Sequence, residues 1–115
     1  MPSTTGYSFG DIVLVPFPFT DQSTVKRRPA VVISGDRYNR DRRDLVIMAV
    51  TSRARSFGAP ADTEVSNWRD AGLLKPSAIK PVIATVAQSL VVHRLGRLSE
   101  ADQHALRHSL ASIIG

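Results

Sequence analysis

Hydrophobic and polar positions along this chain fall into short blocks, and the period of each block predicts its element. Residues 11–19, DIVLVPFPF, are rich in β-branched and aromatic types and too short and proline-broken for a helix. In an extended strand Val13, Val15, Phe17 and Phe19 share one face, with Pro16 and Pro18 on the other. Two prolines withdraw two ladder donors, so the end of this strand is expected at a sheet edge or a bulge. A polar loop over 20–27 follows. PAVVIS (29–34) and LVIMAVT (45–51) are continuous apolar runs, as in strands covered on both faces. Between them GDRYNRDRR reads as a basic turn or loop.

Residues 52–61, with Gly58 and Pro60, read as loop, and 62–66 alternate as a half-exposed strand. A turn or single helical turn is expected around WRDAGLL within 68–76, then two strands over 77–86 and 90–98. One helix closes the chain. Ser99 is its N-cap, and Asp102 stands three residues on in a capping-box-like position. Leu98, Ala105, Leu106, Leu110, Ile113 and Ile114 form its apolar stripe, and Arg107 and His108 lie in its later part, where positive charge suits the helix dipole. Some six short strands and one helix predict a mainly β (α+β) fold, a small and strongly bent sheet or barrel with a helix packed on it.

The chain has 115 residues and is 43% hydrophobic, which suits one domain with one core. The first eight residues read as a flexible N-terminus without a signal-peptide pattern. No apolar run approaches the ~20 residues that span a membrane, so a cytoplasmic location is expected. Without cysteine there is no disulfide and no thiolate nucleophile or ligand.

Charge changes this picture more than size does. Seven basic and two acidic residues lie between Lys26 and Arg43, a local excess equal to the whole formal charge of +5. Arg53 and Arg55 follow shortly. Such a cluster is a footprint for polyanions, nucleic acid or an acidic protein tail, and equally a solvated loop.

The chemistry-bearing residues narrow the choice. No phosphate-binding loop, dinucleotide fingerprint or nucleophile elbow is present. His104 and His108 share a helix face and read as a surface pair, and His93 as a strand residue in a structural role. No metal or cofactor is expected. What remains is an arginine and two hydroxyls. Arg28 precedes Pro29, which biases its backbone to extended geometry at the mouth of a buried strand. Thr51 and Ser52 hold the equivalent place at the end of LVIMAV. If these strands are neighbours, hydroxyls and a guanidinium converge on one phosphate, for which the planar guanidinium fork is suited. Phe17 and Phe19 offer faces on which bases stack, and Lys26 and Arg27 a diffuse attraction for phosphate. Each residue alone has a plainer role: core aromatics, a β-forming threonine, an arginine paired with an acid.

GDIVLVPFPFT, RRPAVVIS and LVIMAVTS, in that order, resemble the MazF/PemK family of toxin endoribonucleases, as does KPSAIKPVIATVAQSLVVHRLGRLS. The likeness runs from about residue 10 to 114. It implies an SH3-like barrel with a C-terminal helix, usually a homodimer, that cleaves single-stranded RNA without a metal through the ribose 2′-hydroxyl. By motif position Arg28 would be the catalytic arginine, and Thr51 would orient the scissile phosphate with Ser52 beside it. RNA contacts would come from Phe17, Phe19, Thr20, Lys26, Arg27 and Arg53. The family's cognate antitoxin supplies an acidic tail for the same groove. The alternatives are a non-catalytic toxin of this fold acting on a protein target such as DNA gyrase, or a non-catalytic RNA-binding barrel.

Overall fold

The computed structural model describes residues 6–17, 26–52 and 61–115, of Phe17 only the backbone. In chain order the elements are β1 (Asp11–Phe17), β2 (Lys26–Val32), α1 (Asp36–Arg42), β3 (Asp44–Ser52), β4 (Thr63–Val65), β5 (Ser77–Ala87), a 3-10 turn (Gln88–Leu90), β6 (His93–Arg97) and α2 (Glu100–Ile113). The strands form one six-stranded sheet in the order β4-β5-β3-β2-β1-β6, every neighbouring pair antiparallel. It curls into a half-barrel with the C-terminal helix against it, the bent mainly β fold that the block pattern predicts.

The apolar runs explain why the sheet is buried on both faces. Successive side chains of a strand point to opposite sides, and β2 divides accordingly: Val31 joins one core, Ala30 and Val32 the other. Met48 and Val50 of β3 go with Val31, Leu45 and Ile47 with the opposite set. The first core is closed by α2 through Leu106, by Leu98, and by Ala71 and Leu73 of the turn before β5. Val13 and Val15 of β1 lie in the second core. β6 pairs with β1 only as far as Leu14, so β1 beyond it is a sheet edge on that side, where Pro16 is tolerated.

Three expectations need correction. The loop assigned to 20–27 ends earlier, because Lys26 and Arg27 belong to β2 and pair with Phe17 and Pro16. GDRYNRDRR is a helix rather than a turn. Its single buried residue, Asn39, donates to the Tyr7 and Ser34 carbonyls and accepts from the Ser34 hydroxyl, so polar burial replaces the missing apolar stripe. Asp36 in its first turn and Arg40 and Arg42 in its last complement the dipole.

The third concerns α2. Ser99 caps it by accepting from the Asp102 N–H at 3.2 Å, but Asp102 does not reach back to the cap. Its buried carboxylate accepts instead from the Ser66 and Asn67 N–H groups at 3.1 and 2.8 Å, tying the turn over 66–72 to the helix start. Arg107, in the second half of the helix, lies over the Phe9 ring, 4.0 Å from its centre. Leu98 and Leu106 are buried, whereas Ile114 is exposed. No helix among the described residues is long and apolar enough to cross a membrane.

Candidate active site

The β2–β3 ladder pairs Val32 with Ile47, Val31 with Met48 and Ala30 with Ala49, and there it stops. Pro29 comes next and has no N–H to continue it. The same register extended by two residues sets Arg28 against Thr51. On its other side β3 stays anchored, with Thr51 paired to Ala78 and Ser52 to Ser77 of β5. One flank of Thr51 is thus fixed while the flank facing β2 is open. Into that opening runs a cleft of about 610 Å³.

The cleft has an apolar floor and a cationic rim. Leu14, Pro29, Val50, Leu73 and Leu95 line its depth, and Lys26, Arg27, Arg28, Thr51, Ser52 and Lys75 stand around it. Lys26, Arg27 and Lys75 are exposed, whereas Arg28, Thr51 and Ser52 are half-buried. Charge at Arg28 is therefore screened less by solvent than charge at the three exposed cations. None of the described residues lining the cleft is a carboxylate. An anion entering it meets four positive side chains and the half-buried hydroxyls of Thr51 and Ser52.

The far wall is built by backbone contact. Gly72, at φ +84°, packs so closely on the Leu95 carbonyl that a Cβ would collide with it, and a Cβ on Gly96 would strike the Ala71 carbonyl. Leu95 is the extra residue of a bulge where the β1–β6 register shifts, which turns it toward the cleft. The turn is braced by hydrogen bonds from Ala71 N–H to the Asn67 carbonyl and Leu73 N–H to the Trp68 carbonyl, and by Asp102.

Of the residues singled out by sequence, Arg28, Thr51, Ser52, Lys26 and Arg27 come together in this cleft. The backbone of Phe17 pairs with Lys26, while its side chain, Phe19, Thr20 and Arg53 lie outside the described residues. Sequence reading missed Leu74, Lys75 and Leu95, which arrive from far along the chain. The KPS start of the fifth strand was their one available signal. No described group of three or more histidine, aspartate or glutamate side chains is arranged to hold a metal, and His93, His104 and His108 are exposed.

Comparison with known proteins agrees with this fold. The model of the PemK-like, MazF-like toxins of type II toxin–antitoxin systems matches residues 8–114. No curated protein matches the sequence. Among solved structures, an endoribonuclease in complex with its cognate antitoxin from a mycobacterial species superposes with a TM-score of 0.74 at 16% identity, covering 97% of this chain and 96% of the other. MazF from Deinococcus radiodurans gives 0.73 at 22% identity over 96% and 97%. That organism's MazE–MazF complex gives 0.71 at 21% identity over 96% of each chain. At these identities the structures speak for the fold, while the family match spans almost the whole chain. This chain belongs to the PemK-like, MazF-like toxins of type II toxin–antitoxin systems.

Proposed function

We propose that the chain is an endoribonuclease toxin that cleaves single-stranded RNA in the cleft between the ends of β2 and β3. The observation that carries this reading is the meeting of Arg28, Thr51 and Ser52 in one cationic cleft without a described carboxylate on its walls. In the proposed reaction the ribose 2′-oxygen attacks the adjacent phosphorus and the bond to the 5′-oxygen of the next nucleotide breaks. The products are a 2′,3′-cyclic phosphate and a 5′-hydroxyl. The proton of the attacking hydroxyl passes to water, and the departing oxygen takes one from water.

Negative charge builds on the non-bridging phosphate oxygens as the phosphorus becomes five-coordinate. Preorganised donors aimed at such charge lower the barrier. Arg28 supplies two N–H groups in one plane. Its role is to stabilise that developing charge. Thr51, held by β5, orients the phosphate through its hydroxyl, with Ser52 beside it. Lys26 and Arg27 draw the strand in. A homodimer and a cognate antitoxin with an acidic segment complete the proposal, the cleft's charge being suited to both polyanions.

The test is incubation of the purified protein with a long single-stranded transcript in the presence of a chelator. Cleavage leaving 5′-hydroxyl and cyclic phosphate ends is expected, and an intact transcript under all conditions would sink the catalytic reading.

A further inference from the structure

Leu74 and Lys75 line the same cleft as Arg28 and form an exposed lip on it, Leu74 being 92% exposed. A lone exposed leucine is ordinary on a protein surface. This one is held out by anchors on both sides. Leu73, 7% exposed, is buried in the core, and its N–H donates to the Trp68 carbonyl. Ser77, 5% exposed, donates its hydroxyl to the Lys75 carbonyl at 2.8 Å while its strand pairs with Ser52. Gly72 is pressed against Leu95 from below. The segment is anchored on both sides, and Leu74 stands out from the floor formed by Leu14, Pro29 and Leu95.

We infer that Leu74 and Lys75 form a nucleotide-gripping lip: Leu74 packs against a base flanking the scissile phosphate, and Lys75 holds a neighbouring phosphate. This rests on RNA being the ligand of the cleft, as proposed above. A nucleotide pairs an apolar ring face with an anionic group, and adjacent apolar and cationic side chains at a cationic cleft match that pairing. Leucine is a known wedge between bases, where it unstacks them. Unstacking matters for this chemistry, because a stacked helical strand keeps the 2′-oxygen out of line with the leaving 5′-oxygen. A duplex cannot open around such a lip without losing its pairing, so the lip selects single strands.

The probe is a mixed-sequence single-stranded 2′-O-methyl RNA, which lacks the nucleophile and reports binding alone. Leu74→Ala is expected to weaken its binding about tenfold, the size of effect expected when one leucine side chain loses its burial against a base, with an unchanged dependence on salt. Lys75→Ala is expected to weaken it a few-fold and to lower the slope of log K against log salt by ~0.7, the effect of one phosphate contact. Thermal unfolding should not move in either variant, since both side chains are exposed. Equal binding by Leu74→Ala and the parent overturns the lip, even if the parent cleaves RNA normally. Binding weakened as described by a parent that cleaves nothing supports the lip while the catalytic reading fails. If the parent binds no single-stranded RNA, or if Leu74→Ala weakens only the binding of an acidic peptide, the lip proposal is wrong.

Discussion

Both ends of the basic segment are rich in cations, yet they are built for different purposes. At the start of β2, Lys26, Arg27 and Arg28 meet Lys75 around a cleft whose described lining holds no acid. Past the other end, Arg37, Arg40, Arg42 and Arg43 are interleaved with Asp36, Asp41 and Asp44. There Arg37 lies 3.9 Å from Asp41, and Arg42 rests over the Tyr38 ring. The buried residue at that end is Asn39, whose amide joins the stretch before β1, the end of β2 and α1. One end concentrates charge on a cavity with no carboxylate among its described lining residues. The other dilutes charge on a surface and buries a neutral hub. Net charge per segment, the quantity a sequence offers most readily, is blind to that difference.

Arg28→Ala should give the largest effect on function. RNA cleavage is expected to fall at least ~100-fold, as for loss of one preorganised donor to a charged transition state, with the melting temperature unchanged. Arg28→Lys should recover little, since an ammonium cannot hold two phosphate oxygens in one plane. Asn39→Ala is the reciprocal experiment. It leaves the Tyr7 and Ser34 carbonyls and the Ser34 hydroxyl short of a partner, at about 2–4 kcal/mol of stability. Melting should drop by roughly 10 °C, while the folded fraction cleaves RNA at the parental rate. If Arg28→Ala melts early, or Asn39→Ala loses specific activity while folded, the division between the two ends is wrong.

Much of the cleft was legible because its first half is local. Pro29 fixes where β2 stops pairing with β3, and two apolar runs joined by a short connection are natural neighbours, so Arg28 and Thr51 could be expected to meet. The second half was not legible. Leu74, Lys75 and Leu95 reach the cleft through the Gly72–Leu95 backbone contact and the Asp102 clamp, and neither leaves a periodic signal. Asp102 illustrates the difficulty: its position three after Ser99 matches a local capping motif, but its carboxylate serves a turn more than thirty residues away. α1 was missed for another reason. A seven-residue helix with Tyr38 as its one large apolar side chain has no stripe to read, and the buried Asn39 that holds it looks like a turn residue in sequence.

Smaller effects sharpen the same contrast. Replacing Lys26 and Arg27 together by alanine should raise KM for RNA several-fold and leave kcat nearly intact, because both are exposed and act before the chemistry. The salt slope of binding should fall by ~0.7 for each phosphate that is no longer neutralised.

The smallest expected effect belongs to Arg40 and Arg43. Both line a second, polar depression with Tyr7, Ser8, Asp36 and Gln88, so the same count of positive charge is removed as in the Lys26 and Arg27 pair. Long-range attraction alone would make the two double variants equivalent, since each removes two charges from the same net total. The structure argues otherwise: Asp36 shares the wall with Arg40 and Arg43, and at physiological salt charges more than about 8 Å from a phosphate are largely screened. Arg40→Ala with Arg43→Ala should therefore change KM less than twofold and leave the salt slope where it was. A slope that falls as far as it does for Lys26 and Arg27 would mean that RNA runs along β2 to α1, and that the basic segment acts as one continuous track.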